Sequence, residues 1–204
     1  MSKTVACVLK SGGDYDVEYV ERLQRGVAEY LPGARFVCLS DVEVPCERIP
    51  LEYDWSGWWS KMELCRPDIK GDLLYLDLDT IVTGDLKPLF GIRHLAMLSD
   101  FYHPERLASG VMLLPEKARE WAWNHWTNGP EEHIERVGRY GDQMVFAEAF
   151  EPHVVRIQDA VPGKVVSYKV HCRNGVPEGA SLVCFHGKPR PRDVNWLEPV
   201  VEQD

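Results

Sequence analysis

The sequence predicts an α/β fold, an α/β/α sandwich whose central sheet is mixed but mostly parallel. Short continuous apolar runs, typical of strands buried on both faces, alternate with amphipathic segments in the first part of the chain. The runs at residues 4–9 and 35–39 enclose a helical pattern, which together indicate a β-α-β unit. Several shorter strand-like runs follow later, which is why the sheet is expected to be mixed.

The first helix and its two ends can be predicted from the sequence. Asp16 precedes it and is a suitable N-cap, and Pro32 and Gly33 stop the pattern. Between these ends the apolar residues recur at helical spacing, at Val17, Val20, Leu23, Val27 and Leu31.

The remaining elements follow in order along the chain. Residues 57–67 predict a short helix that ends at Pro67, and residues 73–79 predict a third buried strand. A helical region is expected at 117–150, with breaks at Gly129 and near Gly138. Further strands are expected at 95–98, 110–114, 154–157, 164–170 and 182–185.

Length and composition limit the class of protein. A chain of 204 residues with 45% hydrophobic residues can bury a full core, and we expect one domain over residues 1–204. The net charge of −9 disfavours bulk nucleic-acid binding. No apolar stretch approaches the length of a membrane span or a signal segment, and the six cysteines lack a C-x-x-C pair. A cytoplasmic protein with reduced thiols is therefore expected.

Two aspartates, Asp77 and Asp79, end the most hydrophobic predicted strand. Side chains alternate along a strand, so both carboxylates should point the same way while Leu78 points into the core. Ligands of open α/β sheets bind at the carboxyl ends of strands, and paired carboxylates repel unless a cation lies between them. Mn²⁺ or Mg²⁺ would suit such oxygen ligands and leave positions for phosphate oxygens. A second triplet, Asp14-Tyr15-Asp16, is better explained by helix capping.

His186 follows another apolar run, residues 182–185, so it should also lie at a sheet edge. A neutral imidazole can complete a metal site with two carboxylates, although a core histidine bonded to the backbone is the alternative. Lysines such as Lys61 and Lys188 are most often solvated, and Asp142 could simply favour a helix N-terminus. The aromatic cluster Trp55, Trp58 and Trp59 is better explained by core packing or by a lid at a ligand, and Trp121, Trp123 and Trp126 are better explained by core packing.

With these residues in view, the sequence resembles the nucleotide-sugar glycosyltransferases of the GT-A fold, a Rossmann-like fold, and most closely the retaining family 8 enzymes such as glycogenin. Five short motifs in the family's order carry the resemblance: "SKMEL", "LYLDLDTIV", "ASGVM", "GDQMVF" and "FHGKPRP". Two of them depart from the family. Alanine replaces an asparagine in "ASGVM", and the His-Gly-Lys spacing in "FHGKPRP" is compressed.

The resemblance implies roles for the residues that match these motifs. Asp77, Asp79 and His186 would hold the metal, Mn²⁺ or Mg²⁺, and Asp142 and Gln143 would contact the donor sugar beside the reacting carbon. The donor, a nucleotide sugar of the UDP class, would meet Lys61, Asp77, Ser109, Gly110, Gly187 and Lys188, and the end of the first strand, at Leu9, Lys10, Ser11 and Gly12, would face its nucleoside. Sugar would pass, with retention of configuration, to a hydroxyl acceptor that the sequence does not identify.

Two other functions fit part of the pattern. A haloacid-dehalogenase-type phosphatase also ends a strand with Asp-x-Asp and binds Mg²⁺, but its motif needs threonine where Ile81 stands and aspartate where Phe146 stands. A catalytically silent module that binds a nucleotide or a sugar is the other alternative.

Overall fold

The computed structural model describes residues 3–194 of the chain. Its ten strands are Thr4–Leu9 (β1), Arg35–Ser40 (β2), Glu47–Pro50 (β3), Leu73–Leu76 (β4), Thr80–Val82 (β5), Ala96–Ser99 (β6), Leu107–Leu114 (β7), Val155–Arg156 (β8), Val165–Ser167 (β9) and Leu182–Cys184 (β10). Its α-helices are Val17–Tyr30 (α1), Lys87–Gly91 (α2), Glu116–Thr127 (α3), Pro130–Val137 (α4), Asp142–Phe150 (α5), Ile157–Ala160 (α6) and Tyr168–His171 (α7). Three 3-10 helices span Gly57–Cys65, Gly138–Tyr140 and Pro191–Asp193.

A seven-stranded sheet forms the centre of the fold, in the order β3-β2-β1-β4-β7-β6-β8. Four of the neighbouring pairs are parallel, and β7 alone among these strands runs antiparallel to both of its neighbours. The predicted mixed, mostly parallel α/β fold is therefore confirmed. Strand β1 is buried along its whole length, as its unbroken apolar run predicts.

Helix α1 covers one face of this sheet and is built as its sequence predicts. The Asp16 side chain accepts a hydrogen bond from the backbone N–H of Glu18, which caps the first turn. The buried residues of the helix are Tyr19, Val20, Leu23 and Val27. Its glycine, Gly26, lies so close to β5 that a Cβ placed there would be 2.8 Å from the Cβ of Val82.

A second sheet of three strands has the order β5-β10-β9. The middle strand, β10, pairs antiparallel with β5 and parallel with β9. The chain reaches β5 from β4 through a turn at Leu78 and Asp79, so the two sheets meet at the aspartate pair. This junction places the end of β10, and His186 after it, beside the main sheet.

Helices α3 and α5 cover the other face together with the 3-10 helix Gly57–Cys65. Trp126 of α3 is fully buried and stacks on Trp59, with ring centroids 5.5 Å apart. Arg119 of α3 is 1% exposed and donates hydrogen bonds to three backbone carbonyls, those of Leu64, Ile69 and Gly71. An arginine thus ties the helix to the segments before β4.

Three of the expected strands differ from the structure. Strand β4 ends at Leu76, so Asp77 and Asp79 belong to the following turn and not to the strand. The strands expected at 154–157 and 164–170 are shorter in the structure, where they are β8 and β9, because each is followed directly by a short helix.

All six cysteines are free, as expected. Within residues 3–194, no helix has the length and apolar character needed to span a bilayer.

Candidate active site

A cleft of about 590 Å³ opens at the carboxyl ends of β1 and β4. This volume is within the range of pockets that bind small molecules. Three of the predicted site groups, those of Asp77, Asp79 and His186, line it. So do eight more of the predicted residues: Leu9, Lys10, Lys61, Ser109, Gly110, Asp142, Gln143 and Gly187. The topology therefore collects most of the predicted residues in one place.

Lys61 lies between two carboxylates in the floor of the cleft. Its ammonium group is 3.0 Å from Asp77 Oδ1, 2.9 Å from Asp142 Oδ2 and 3.2 Å from Ser109 Oγ. Ser109 Oγ in turn donates to Asp142 Oδ2 at 2.6 Å. An ammonium group has three hydrogens, and these three contacts use all of them. Lys61 therefore has no donor left for a phosphate while this cluster is intact.

The cluster shifts the pKa values of its members. Burial raises the pKa of Asp77 to about 6, with Asp79 and Asp142 adding to the rise while Lys61 and the Tyr75 hydroxyl oppose it. Burial would lower the pKa of Lys61, but Asp142 and Asp77 together raise it above its ordinary value. Lys61 consequently stays charged and balances the negative charge around it.

Asp142 is the first residue of α5 but does not cap it. No side chain caps this helix, whose N-cap is Gly141, and the Asp142 carboxylate turns to Lys61 and Ser109 instead. Asp142 is 6% exposed. Asp142 does lie in the first turn of α5, as the helix N-terminus alternative expects, but its side-chain contacts are with Lys61 and Ser109.

Asp79 is held by a different group of residues. Its Oδ2 accepts hydrogen bonds from Tyr15 at 2.8 Å and from Arg190 Nη1 at 2.9 Å. The other terminal nitrogen of Arg190 is 2.9 Å from Asp14 Oδ2, and the guanidinium lies over the Tyr15 ring, 4.6 Å from its centroid. Burial and the neighbouring Asp79 raise the pKa of Tyr15, so its hydroxyl remains a donor. The triplet predicted to cap α1 thus has a second role, since Asp14 and Tyr15 face the cleft.

His186 enters the cleft from the small sheet. Its ring stacks on Phe101, with centroids 5.4 Å apart, and its Nε2 is 2.6 Å from Ser167 Oγ. Burial, with Lys169 adding, lowers the pKa of His186 below its ordinary value. The imidazole is therefore neutral at pH 7 and retains a lone pair for an acceptor or ligand role.

The donor set of Asp77, Asp79 and His186 is of the kind that binds Mn²⁺ or Mg²⁺. Each aspartate uses one oxygen for protein partners, and among residues 3–194 the other oxygen of each, Asp77 Oδ2 and Asp79 Oδ1, accepts no hydrogen bond. These oxygens fit a cation. The three side chains do not, however, all have ligand atoms within 4.8 Å of one another.

Only one group in the described part of the chain meets that spacing, and it lies outside the cleft: His125, His133 and Glu148, on helices α3, α4 and α5. Arg136 fills this group, because its Nη2 contacts both Glu148 Oε2 at 2.6 Å and His133 Nδ1 at 3.0 Å. A guanidinium already supplies the positive charge there.

Three predicted donor residues do not line the cleft. Ser11 binds Asp41 through both its backbone N–H and its hydroxyl, and Gly12 is exposed with a φ of 83°. Lys188 is exposed to solvent. Lys10 does line the cleft, but it is paired with Asp41 at 3.2 Å and Asp54 at 2.9 Å.

Sequence reasoning missed three residues that shape the cleft, Tyr15, Tyr75 and Arg190, and left Trp58 between a core and a lid role. Tyr75 and Tyr15 each donate to one aspartate of the pair. Trp58 is 53% exposed and lines the cleft, whereas its neighbour Trp59 is buried in the core. Of the missed residues, only Tyr75 could have been found from the sequence, because its two-residue spacing from Asp77 places both side chains on the same face of an extended chain.

Comparison with known proteins gave matches in structure alone. No protein-family model and no curated protein sequence matched the chain. The glycosyltransferase GlyE of Streptococcus pneumoniae TIGR4 has a similar structure, with a TM-score of 0.68 and 17% identity over 93% of this chain. The galactosyltransferase LgtC, solved with donor and acceptor sugar analogues, gives a TM-score of 0.66 with 15% identity over 92% of this chain. The bifunctional glycosyltransferase WbbM gives 0.62, with 11% identity over 93% of this chain.

These similarities define the fold as that of the GT-A glycosyltransferases. The chain spans 88% of the LgtC chain, 56% of the GlyE chain and 46% of the WbbM chain. At such low sequence identities the similarity establishes the fold alone. The reaction has to be inferred from the residues that line the cleft.

Proposed function

We propose that the protein is a glycosyltransferase that moves a sugar from a nucleotide diphosphate donor, of the UDP class, to a hydroxyl acceptor. The observation that carries the proposal is the convergence of Asp77, Asp79, His186 and Asp142 in one cleft at the strand ends of a GT-A fold. LgtC, which shares this fold, was solved with analogues of a donor and an acceptor sugar.

The charge of the cleft supports a divalent cation, Mn²⁺ or Mg²⁺, as the cofactor. Among the described residues, five carboxylates and three permanent cations line the cleft: Asp14, Asp77, Asp79, Asp100 and Asp142 against Lys10, Lys61 and Arg190. A diphosphate entering this excess of negative charge would be repelled. A divalent ion, held by Asp77, Asp79 and His186, would neutralise the charge that develops on the leaving diphosphate.

Side chains of the cleft would position the donor sugar and stabilise the positive charge that develops on it during the reaction. Asp142, fixed by Lys61 and Ser109, places a carboxylate in the cleft beside Gln143, where it would stabilise the positive charge on the anomeric carbon. Lys61 holds the Asp142 carboxylate in place, and we assign it this positioning role instead of a direct phosphate contact.

Retention of configuration is part of the proposal and follows from the family resemblance. The bond between the anomeric carbon and the diphosphate oxygen breaks, and the acceptor oxygen bonds to that carbon on the same face. The acceptor's proton passes to the departing phosphate oxygen, so no separate protein base is needed.

The test uses Asp79→Asn, which keeps the size of the side chain and removes its charge. We expect metal-dependent release of UDP from at least one UDP-sugar by the wild-type protein and a loss of about 100-fold or more in the variant. Asp159→Asn is the matched control, since Asp159 is exposed on α6, away from the cleft, and should retain full activity. Circular dichroism and thermal unfolding would confirm that both variants fold.

Three outcomes would contradict the proposal. Equal turnover with and without EDTA would show that the reaction does not require a divalent cation. Hydrolysis of p-nitrophenyl phosphate without sugar transfer would favour the phosphatase alternative. Binding of UDP and Mn²⁺ without product from any of a panel of UDP- and GDP-sugars would favour a silent binding module.

A further inference from the structure

Among the residues described, Arg190 is the cleft cation best placed to gain an anionic ligand. Lys61 has all three hydrogens committed, and Lys10 lies between Asp41 and Asp54. Arg190 has a guanidinium with five N–H donors, and its buried Nε–H has no hydrogen-bond partner. An unpaired buried donor is costly, so an additional acceptor at this position would be favourable.

Arg190 also binds the carboxylate that the proposed cation needs. Its Nη1 is 2.9 Å from Asp79 Oδ2, where the Tyr15 hydroxyl also donates. A divalent ion bound to Asp79 would lie next to this guanidinium, and two positive groups at such a separation repel strongly in a cleft of low dielectric constant. Arg190 and the cation therefore compete for Asp79 when no anionic ligand is bound.

A nucleotide diphosphate would remove this competition. It brings negative oxygens that a guanidinium can bind through two parallel hydrogen bonds, the geometry that arginine favours. Arg190 could then exchange Asp79 for the diphosphate and leave the carboxylate to the cation. Its second partner, Asp14, has a side chain that is 66% exposed, so it holds the guanidinium only weakly.

We infer that Arg190 couples the binding of the cation to the binding of the nucleotide. In the free protein its positive charge at Asp79 Oδ2 keeps the affinity for Mn²⁺ low; with a nucleotide diphosphate present it moves to the diphosphate, and both ligands bind more tightly. The inference rests on the proposed function for the identity of the nucleotide. The competition at Asp79 is independent of it.

The test measures Mn²⁺ binding by electron paramagnetic resonance, without nucleotide and then with saturating UDP. In Arg190→Gln we expect Mn²⁺ alone to bind about 10-fold to 100-fold more tightly than in the wild-type protein, because a positive charge beside Asp79 has been removed. UDP should bind at least about 10-fold more weakly, and the effect of UDP on Mn²⁺ affinity should shrink in the same variant. Both ligands must show equal coupling, as linkage requires.

Arg192→Gln is the matched control, with the same substitution two residues away. Arg192 is half exposed, contacts Asp16 at 3.4 Å and does not line the cleft, so its loss should leave both affinities unchanged within about twofold. Arg190→Lys keeps a charge near Asp79 and should lie between the wild-type protein and Arg190→Gln.

Unchanged Mn²⁺ affinity in a folded Arg190→Gln protein would overturn the inference. If the variant does not fold, the wild-type protein still decides the matter, because UDP that leaves its Mn²⁺ affinity unchanged rules out the coupling. Tighter Mn²⁺ binding by Arg190→Gln, together with no binding of UDP or GDP by the wild-type protein, would support the competition at Asp79 and overturn the proposed donor.

Discussion

Replacing Lys61 by methionine tests whether the buried ammonium group holds the cleft together. Lys61 is 7% exposed and neutralises Asp77 and Asp142 at 3.0 Å and 2.9 Å. Removing one partner of a buried ion pair costs about 3–5 kcal/mol. The Asp77 side chain is 33% exposed, so water offsets part of the loss and we expect the lower end, about 3 kcal/mol.

The free energy of unfolding from urea denaturation at pH 7.5, without added divalent cations, is the measurement. A loss of this size should lower the melting temperature by roughly 6–12 °C for a chain of this length. Lys117→Met is the control, since Lys117 is exposed on α3 and its loss should change stability by less than about 0.5 kcal/mol. Combining Lys61→Met with Asp142→Asn should recover about 1 kcal/mol or more, because it removes one unpaired carboxylate.

The pH dependence provides a second test of the same reasoning. In the wild-type protein the pKa of Asp77 is already raised to about 6, and loss of Lys61 removes the main opposing charge, so it should rise further. A carboxyl group whose pKa is higher in the folded state binds more protons there, so stability increases as pH falls through that pKa. The deficit of Lys61→Met should therefore narrow by about 1–2 kcal/mol between pH 8 and pH 6. A loss below about 1 kcal/mol, or a deficit that does not change with pH, would refute the role given to Lys61.

Two further predictions concern stability. Arg119→Met should lose about 3 kcal/mol or more in urea denaturation, because Arg119 is 1% exposed and its removal leaves the carbonyls of Leu64 and Ile69, two buried residues, and that of Gly71 without their donor; a loss below about 1 kcal/mol would show that water replaces the side chain there. Gly26→Ala should lose about 1–3 kcal/mol, because the new methyl group would be 2.8 Å from the Cβ of Val82. Gly91→Ala is its control, since a Cβ at Gly91 has no atom within 4 Å, and equal effects of the two changes would contradict this explanation.

Much of the fold could be predicted because its signals are local. The apolar run of β1, the helical spacing of α1 and its Asp16 cap are each decided by neighbouring residues, and the structure confirms all three. Strand β5 was missed because its three residues directly follow the aspartate turn and continue the same apolar pattern. A strand this short is defined by its partner, β10, which is about a hundred residues further on.

The residues of the cleft could be predicted only in part, because some of its contacts join residues that are far apart in sequence. Strand ends determine where Asp77 and Asp79 lie, even though both turned out to belong to a turn. The contacts of Arg190 could not be predicted, since its partners Asp14 and Asp79 are 176 and 111 residues away in sequence. The motif directed attention to Lys188, whereas the fold turns the next basic residue into the cleft.

The position of β10 between β5 and β9 has a consequence for how the chain matures during synthesis. Strands β5 and β9 leave the ribosome before β10. They cannot form the three-stranded sheet until residues 182–184 have been synthesised, because β10 lies between them. The large sheet needs nothing from this last segment, so it can form early, while the wall that carries His186 must wait. A nascent chain would thus form its seven-stranded sheet well before the cleft is complete and able to bind a ligand.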